Sequence, residues 1–203
     1  DTPDAAVKLD AKKAELATVQ QKLAQIPVRA LLPFEVPQLV DVALQKAKSD
    51  IVITTTLPIG ERLTSLRLLL LEQALRKGIK VRILISDRPT DDEFAANDGP
   101  GPILRTLNEL MSAHTNLDVS FLRDMDRVVF EVRIDDILVG VSNEPPLGAR
   151  SRDPLARVFS GYQLSGTKPV RAYVEAHMSA QHLAVVGKIK LPAPVRKAAQ
   201  KSR

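Results

Sequence analysis

Residues 127–144 have the sequence RVVFEVRIDDILVGVSNE, and this stretch decides how the rest of the chain is interpreted. Its side chains alternate in character with a period of two, which is the period of a β-strand. One face would carry Val128, Phe130, Val132 and Ile134, and the other Val129, Glu131 and Arg133. The acidic pair Asp135-Asp136 then predicts a tight turn. The stretch is therefore predicted to be a β-hairpin.

The second strand of this hairpin ends in a polar cluster, Ser142-Asn143-Glu144. Polar side chains at the point where a strand gives way to a loop are frequent binding groups, because loops on a rigid scaffold carry much of protein function. Together with Asp135 in the turn, these three residues are the candidate ligand-binding residues of the chain.

The sequence outside the hairpin predicts alternating helices and strands. Helices are expected over 4–26, 35–48, 63–77, 103–114 and 169–186, and strands over 51–56, 80–85 and 117–122, with a possible short strand over 157–164. Strand, helix and strand in succession favour parallel pairing with a crossover helix. The prediction is an α/β fold with a mixed, centrally parallel sheet that helices cover on both faces.

Residues 1–27 are predicted to form a separate N-terminal helix. Leu9, Leu16 and Leu23 recur at intervals of seven, which is the heptad spacing of a coiled coil. One interpretation is a dimerising coiled coil; the other is an amphipathic helix packed on its own domain. Lys12 falls at a position that a coiled coil would bury, so this charged residue disfavours the coiled-coil interpretation.

The net charge of +5 is concentrated at the C-terminal end. The basic residues from position 188 onward are Lys188, Lys190, Arg196, Lys197, Lys201 and Arg203, and no acidic residue accompanies them. Without these six, 23 basic residues face 24 acidic ones, so residues 1–187 carry a net charge of −1. We expect a folded body over 28–186 and a disordered basic tail over 187–203. The tail either contacts nucleic-acid phosphates or serves only as a solubilising segment.

Composition excludes several classes of function. The chain has no cysteine, which rules out disulfides, thiol catalysis and cysteine-ligated zinc. It has no glycine-rich phosphate loop, and His177 and His182 are five apart rather than at the spacing of a helical metal pair. No metal or cofactor is predicted. Aromatic residues make up only 3%, which disfavours single-stranded nucleic-acid binding by base stacking. No membrane-spanning or signal sequence is evident, so a cytoplasmic protein is expected.

Three stretches, IVITTT at 51–56, RKGIKVRILISD at 76–87 and DDILVGVSNE at 135–144, resemble one half of a phospholipase D superfamily domain. The resemblance covers about residues 35–185. Active members carry His-x-Lys-x4-Asp on the hairpin, where the histidine attacks phosphorus and the lysine holds phosphoryl oxygens. If Asp135 is the family aspartate, the resemblance places Val128 at the histidine and Phe130 at the lysine. If Asp136 is, these positions fall on Val129 and Glu131.

The resemblance therefore implies a scaffold without catalytic residues, in which only Asp135, Gly140 and Asn143 match the family pattern. The first hypothesis is a non-catalytic module that forms homodimers and associates with nucleic acid or a partner protein through the basic tail. Similar domains occur in transcription regulators behind a coiled-coil linker, which the N-terminal heptads resemble. The alternatives are a phosphodiesterase or nuclease completed by a second chain, and a small-molecule-sensing domain.

Overall fold

The computed structural model describes residues 27–32, 34–58, 60–86, 97–122, 130–148, 161–183 and 185–188, together with the isolated positions 12, 13, 15, 90 and 92. From residue 177 onward this description covers the backbone only. The elements in chain order are β1 (Val28–Leu31), α1 (Glu35–Lys46), β2 (Asp50–Thr55), α2 (Ser65–Arg76), β3 (Lys80–Ile85), α3 (Gly101–Ala113), β4 (Leu117–Leu122), β5 (Phe130–Ile134), β6 (Leu138–Ser142), β7 (Gly161–Ser165), α4 (Thr167–Leu183) and β8 (Val185–Lys188).

The strands form one eight-stranded sheet in the order β1-β7-β6-β5-β2-β3-β4-β8. The central strands β2, β3 and β4 are parallel. The hairpin β5–β6 joins β2 in antiparallel register, and β7 and β1 continue that side antiparallel. On the far side, β8 pairs antiparallel with β4. The prediction of a mixed, centrally parallel sheet is confirmed.

Helices α1, α2 and α3 pack on one face of the sheet. Their buried leucines share a single core cluster with alternate residues of the central strands, among them Ile51, Ile53, Val81, Ile83, Val119, Val132 and Ile134. The β-branched strands predicted from the sequence are nearly free of solvent contact at these positions, and Ile51 and Val119 are fully buried. Removal of this apolar surface from water is the main favourable contribution to the folded state.

Helix α4 covers the opposite face. Val170 and Tyr173 of α4 share a buried cluster with Val139 and Val141 of β6. Gly140, between those two valines, faces the other way, and a Cβ atom there would overlap a methyl carbon of Leu39 in α1. Helices therefore cover both faces of the sheet, as the sequence predicts.

Two strands differ from the sequence prediction. Val28–Leu31 was expected to be loop but forms β1, since it pairs with β7 from Val28↔Leu164 to Leu31↔Gly161. Val185–Lys188 was expected to be the helix end and the start of the tail but forms β8, with Lys188 opposite Ser120. Both are short edge strands that owe their structure to a distant partner, which local propensity does not reveal.

Residues 4–26 lie almost wholly outside the described residues. Lys12, Lys13 and Glu15 are helical and exposed, and Lys12 forms an ion pair with Glu15 at 3.0 Å. The heptad interpretation remains a prediction. Among the residues that the structure describes, no helix combines the length and the apolar character that crossing a bilayer requires.

Candidate functional site

Asp135 lies in the turn between β5 and β6, with a positive φ of 49° that aspartate tolerates better than most residues. Its carboxylate faces the loop between α1 and β2. Oδ1 accepts hydrogen bonds from the backbone N–H of Ser49 (2.8 Å) and Asp50 (2.9 Å) and from the Ser49 hydroxyl (2.7 Å). Oδ2 accepts from the backbone N–H of Lys48 at 3.0 Å. The side chain therefore fastens the hairpin to the start of β2.

The pKa of Asp135 reflects two opposed effects. Burial raises the pKa of the carboxyl, whereas hydrogen bonds from the Asp50 backbone, the Ser49 hydroxyl and the Lys48 and Ser49 backbone lower it, and the result is a pKa below its ordinary value. Donors that point at a carboxylate stabilise its charged form. The ionised group is held by the protein's own loop, so its role in the structure is to position that loop.

Ser142, Asn143 and Glu144 lie at the opposite end of the hairpin. The Ser142 hydroxyl oxygen accepts a hydrogen bond from the backbone N–H of Glu144 at 2.8 Å, which is the local turn geometry that serine favours. Ser142 and Glu144 are buried, and Asn143 is exposed. Nearby, the Thr55 hydroxyl oxygen accepts from the backbone N–H of Leu147 at 3.2 Å. This end of the sheet is where the parallel strand β2 terminates.

The structure does not bring Asp135 together with the other three candidates. Asp135 lies in the turn before β6, and Ser142 is the last residue of that strand. At about 3.3 Å per residue, β6 alone separates the two ends by about 13 Å. Ser142, Asn143 and Glu144 remain neighbours, so a ligand site built from the polar cluster would not include Asp135.

The family motif can be aligned with its aspartate at Asp135 or at Asp136, and the structure gives these two residues different surroundings. Asp135 is 8% exposed and saturated with donors, whereas Asp136 is half-exposed and lies 3.5 Å from Arg171 in a surface ion pair. Phe130, at the lysine position of the Asp135 alignment, is half-buried and lies opposite Ser142. Val128 and Val129, at the histidine positions, lie outside the described residues.

A buried polar group that was not among the predicted site residues lies on the other face of the hairpin. Glu131 is only 2% exposed, and its Oε2 accepts a hydrogen bond from the Tyr173 hydroxyl at 2.9 Å. Burial and the negative charge of Glu131 raise the pKa of Tyr173, so the phenol stays protonated and donates. This hydrogen bond ties α4 to β5. Two charged residues at alternate strand positions, Glu131 and Arg133, were the available signal, but the contact of Glu131 with α4 is decided by the tertiary structure.

Of the six residues predicted to bind nucleic acid, the structure describes Lys188 alone. It is the last residue of β8 and therefore belongs to the sheet rather than to the tail. Lys190, Arg196, Lys197, Lys201 and Arg203 lie outside the described residues. Among the described residues there is also no group of three metal-ligating side chains.

No protein-family model matches the chain, and no curated protein sequence matches it either. Solved structures do. Nuc from Salmonella typhimurium, a phospholipase D family member, has a TM-score of 0.52 and 13% identity over 81% of this chain and 98% of its own. NucT from Helicobacter pylori has a TM-score of 0.50 and 14% identity over 79% of this chain and 96% of its own.

TrmBL2, an archaeal chromatin protein with a novel mode of DNA binding, has a TM-score of 0.50 and 15% identity over 89% of this chain. The chain spans 64% of the length of TrmBL2. Identities of 13–15% show the fold alone. The fold is thus phospholipase D-like, as the resemblance in the hairpin implies.

Proposed function

We propose that this chain is a cytoplasmic, non-catalytic phospholipase D-like module that dimerises and associates with nucleic acid through its basic end. The observation that carries the proposal is the position of Phe130. It begins β5, in the hairpin whose Asp135 is held by four donor groups of the loop at residues 48–50.

An aromatic ring at that position has no charge to offer a phosphoryl group. Phosphoryl transfer depends on positioning and on cationic stabilisation of the transferring oxygens. Phe130 lies opposite Ser142 and is half-buried, which suits packing at the sheet end. The resemblance also places Val128, which has no nucleophilic atom, where the attacking histidine would be.

Hydrolysis of bis-p-nitrophenyl phosphate tests the absence of catalysis. We expect the full chain and the Asn143→Ala variant to show the same rate as buffer. Asn143 is exposed, so its replacement should leave the fold intact. Turnover by the full chain that Asn143→Ala abolishes would contradict the proposal and favour the alternative of a phosphodiesterase or nuclease.

Two features support association with nucleic acid. The fold is shared with a DNA-binding chromatin protein, and the six basic residues from Lys188 onward stand without acidic neighbours in the sequence. Lys188 ends β8, which is an edge strand of the sheet, and the other five basic residues follow it in the sequence. Contacts from such a segment to phosphates are sequence-independent and depend steeply on salt.

Fluorescence anisotropy with a labelled DNA duplex tests this part. The matched control replaces Lys190, Arg196, Lys197, Lys201 and Arg203 by glutamine, which keeps the length and Lys188 of the sheet. We expect the substituted chain to lose most of the affinity at low salt. Equal affinity of the two chains would contradict the nucleic-acid role and leave a solubilising segment or a protein partner.

Dimerisation is proposed through residues 4–26 or through the sheet edge. The strand β1 is terminal in the sheet, and the large apolar residues at and after it are exposed: Val28 at 54%, Leu32 at 49% and Phe34 at 57%. Sedimentation equilibrium of the full chain and of a chain lacking residues 1–26 tests this part. We expect the full chain to be a dimer. A monomeric truncated chain would assign the contact to residues 4–26 and a dimeric one to the sheet edge, whereas a monomeric full chain at micromolar concentration would contradict dimerisation.

A further inference from the structure

A cleft of about 390 Å³ lies on the α4 side of the sheet, at the end where the parallel strands begin. This is the end of the sheet opposite Ser142 and Asn143. Its lining includes Asp50, Val52, Lys80, Arg82, Asp118 and Arg133. The volume falls within the range of small-molecule sites, which is roughly 300–1,000 Å³.

Strand register fixes the arrangement of charge in this cleft. Arg82 of β3 and Arg133 of β5 are both in register with Val52 of β2, so the two arginines flank one apolar residue. They stand two strand spacings apart, which is about 10 Å between backbones. Arginine side chains are long enough to converge on a ligand of phosphate size across that distance.

The neighbouring positions complete the set. Lys80 is in register with Asp50, and Asp118 with Arg82. Arg133 Nη2 lies 3.3 Å from Asp50 Oδ2, and Arg82 Nε lies 3.9 Å from Asp118 Oδ2. Three cationic side chains and two carboxylates leave the lining with a net charge of +1.

Burial strengthens the attraction of this cleft for an anion. The side chain of Arg133 is 10% exposed, and a guanidinium with little water around it interacts more strongly with a charge than an exposed one. Its planar fork also matches two oxygens of one phosphate group. The carboxylates of Asp50 and Asp118 supply acceptors for ligand hydroxyl groups.

We propose that this cleft binds a small, hydroxylated phosphate ester. The phosphate would lie between Arg82 and Arg133 with Lys80 at the rim, and the hydroxylated body would lie along Asp50 and Asp118. The cleft is much larger than one phosphate ion, and its lining includes no aromatic ring on which a nucleobase would stack. The proposal is independent of the nucleic-acid role proposed for the basic end.

Isothermal titration calorimetry with glycerol 3-phosphate as the probe tests the proposal, with inorganic phosphate and glycerol as comparison probes. The variants are Lys80→Gln and Arg82→Gln, both on the cleft side. Arg76→Gln is the control, because its side chain is 70% exposed in α2 on the opposite face and also loses one surface charge. We expect Arg82→Gln to raise the Kd of glycerol 3-phosphate about tenfold and Arg76→Gln to leave it unchanged.

Lys80→Gln should raise the Kd by a smaller factor, since Lys80 is exposed at the rim. Binding of glycerol 3-phosphate in preference to inorganic phosphate and to glycerol supports the assignment. The proposal is overturned if the wild-type chain gives no binding heat at millimolar glycerol 3-phosphate, if inorganic phosphate binds as well as the ester, or if Arg82→Gln and Arg76→Gln have equal effects. Weaker duplex DNA binding in Arg82→Gln without ester binding would assign the cleft to nucleic acid instead.

Discussion

Replacement of Asp135 by asparagine should destabilise the fold far more than the same change at Asp136. In the native structure, four donor groups, the N–H of Lys48, Ser49 and Asp50 and the Ser49 hydroxyl, point at the Asp135 carboxylate. Asparagine keeps the shape, the tolerance of a positive φ and one acceptor oxygen. It removes the charge and turns an N–H₂ group toward one or more of these donors.

The size of the effect follows from the number of contacts. A hydrogen bond to a charged group contributes about 1.5–3 kcal/mol, and a buried donor left without an acceptor costs about 1–3 kcal/mol. Because the Asn oxygen would retain most of the Oδ1 contacts, we expect a loss of about 2–3 kcal/mol in the free energy of unfolding. Asp135→Ala, which removes every acceptor, should cost about 3–5 kcal/mol.

Urea denaturation followed by circular dichroism measures these differences. Asp136→Asn is the matched control, because Asp136 is half-exposed and its ion pair with Arg171 at 3.5 Å lies at the surface. Exposed pairs of this kind contribute about 0–1 kcal/mol. A loss for Asp135→Asn no larger than that for Asp136→Asn would refute the view that this carboxylate holds the turn to the start of β2.

The dependence on pH gives a second test of the same group. The pKa of Asp135 is lower in the folded state than in the unfolded chain, so its contribution is complete above the unfolded carboxyl pKa of about 3.9. That contribution is lost as the pH falls from there through the lower, folded value. The difference in stability between wild type and Asp135→Asn should therefore shrink in this window, and a difference that stays constant down to the folded pKa would contradict the assignment.

Two further substitutions test the packing around the hairpin. Tyr173→Phe removes the hydrogen bond to the buried Glu131 and should lower the free energy of unfolding at neutral pH by about 1–3 kcal/mol. Glu131→Gln keeps an acceptor for the Tyr173 hydroxyl and should lower it by less. An unchanged urea midpoint in Tyr173→Phe would show that this hydrogen bond contributes nothing to stability. Gly161→Ala places a Cβ atom against the Val141 carbonyl oxygen at a φ of +145° and should cost at least about 3 kcal/mol in the free energy of unfolding. Gly60→Ala, whose Cβ atom would have no other atom within 4 Å, should change stability by less than about 0.5 kcal/mol. Similar melting temperatures for these two glycine variants would contradict the close approach of β7 to β6.

The sequence predicted the central part of the fold well because its signals there are local. The β-branched run at 51–56 and the alternating stretch at 127–144 specify strands by composition and period, and Gly78, with a φ of +81°, ends α2 as expected. The prediction was wrong for strands β1 and β8, because each is four residues long and is stabilised by a partner strand far along the chain.

The candidate site was predicted less completely, for a related reason. Asp135 was correctly placed in a turn, but its donors are the backbone N–H groups of Lys48 to Asp50, 85–87 residues away, which no sequence pattern announces. Glu131 and Arg133 alternate with apolar residues and so resemble the solvent face of a strand. Glu131 accepts a hydrogen bond from Tyr173 of α4, and Arg133 pairs with Asp50 of β2, and both contacts are decided only by the tertiary structure.

The measurement that tests the proposed function most directly is the salt dependence of DNA binding by the full chain. If the six basic residues from Lys188 onward contact phosphates, the logarithm of the binding constant should fall against the logarithm of salt concentration with a slope of about −5. The five glutamine substitutions beyond Lys188 should reduce that slope to about −1, with the labelled duplex still intact at the end of the titration. An equal slope in the two chains, or cleavage of the duplex that depends on Asn143, would contradict association without catalysis.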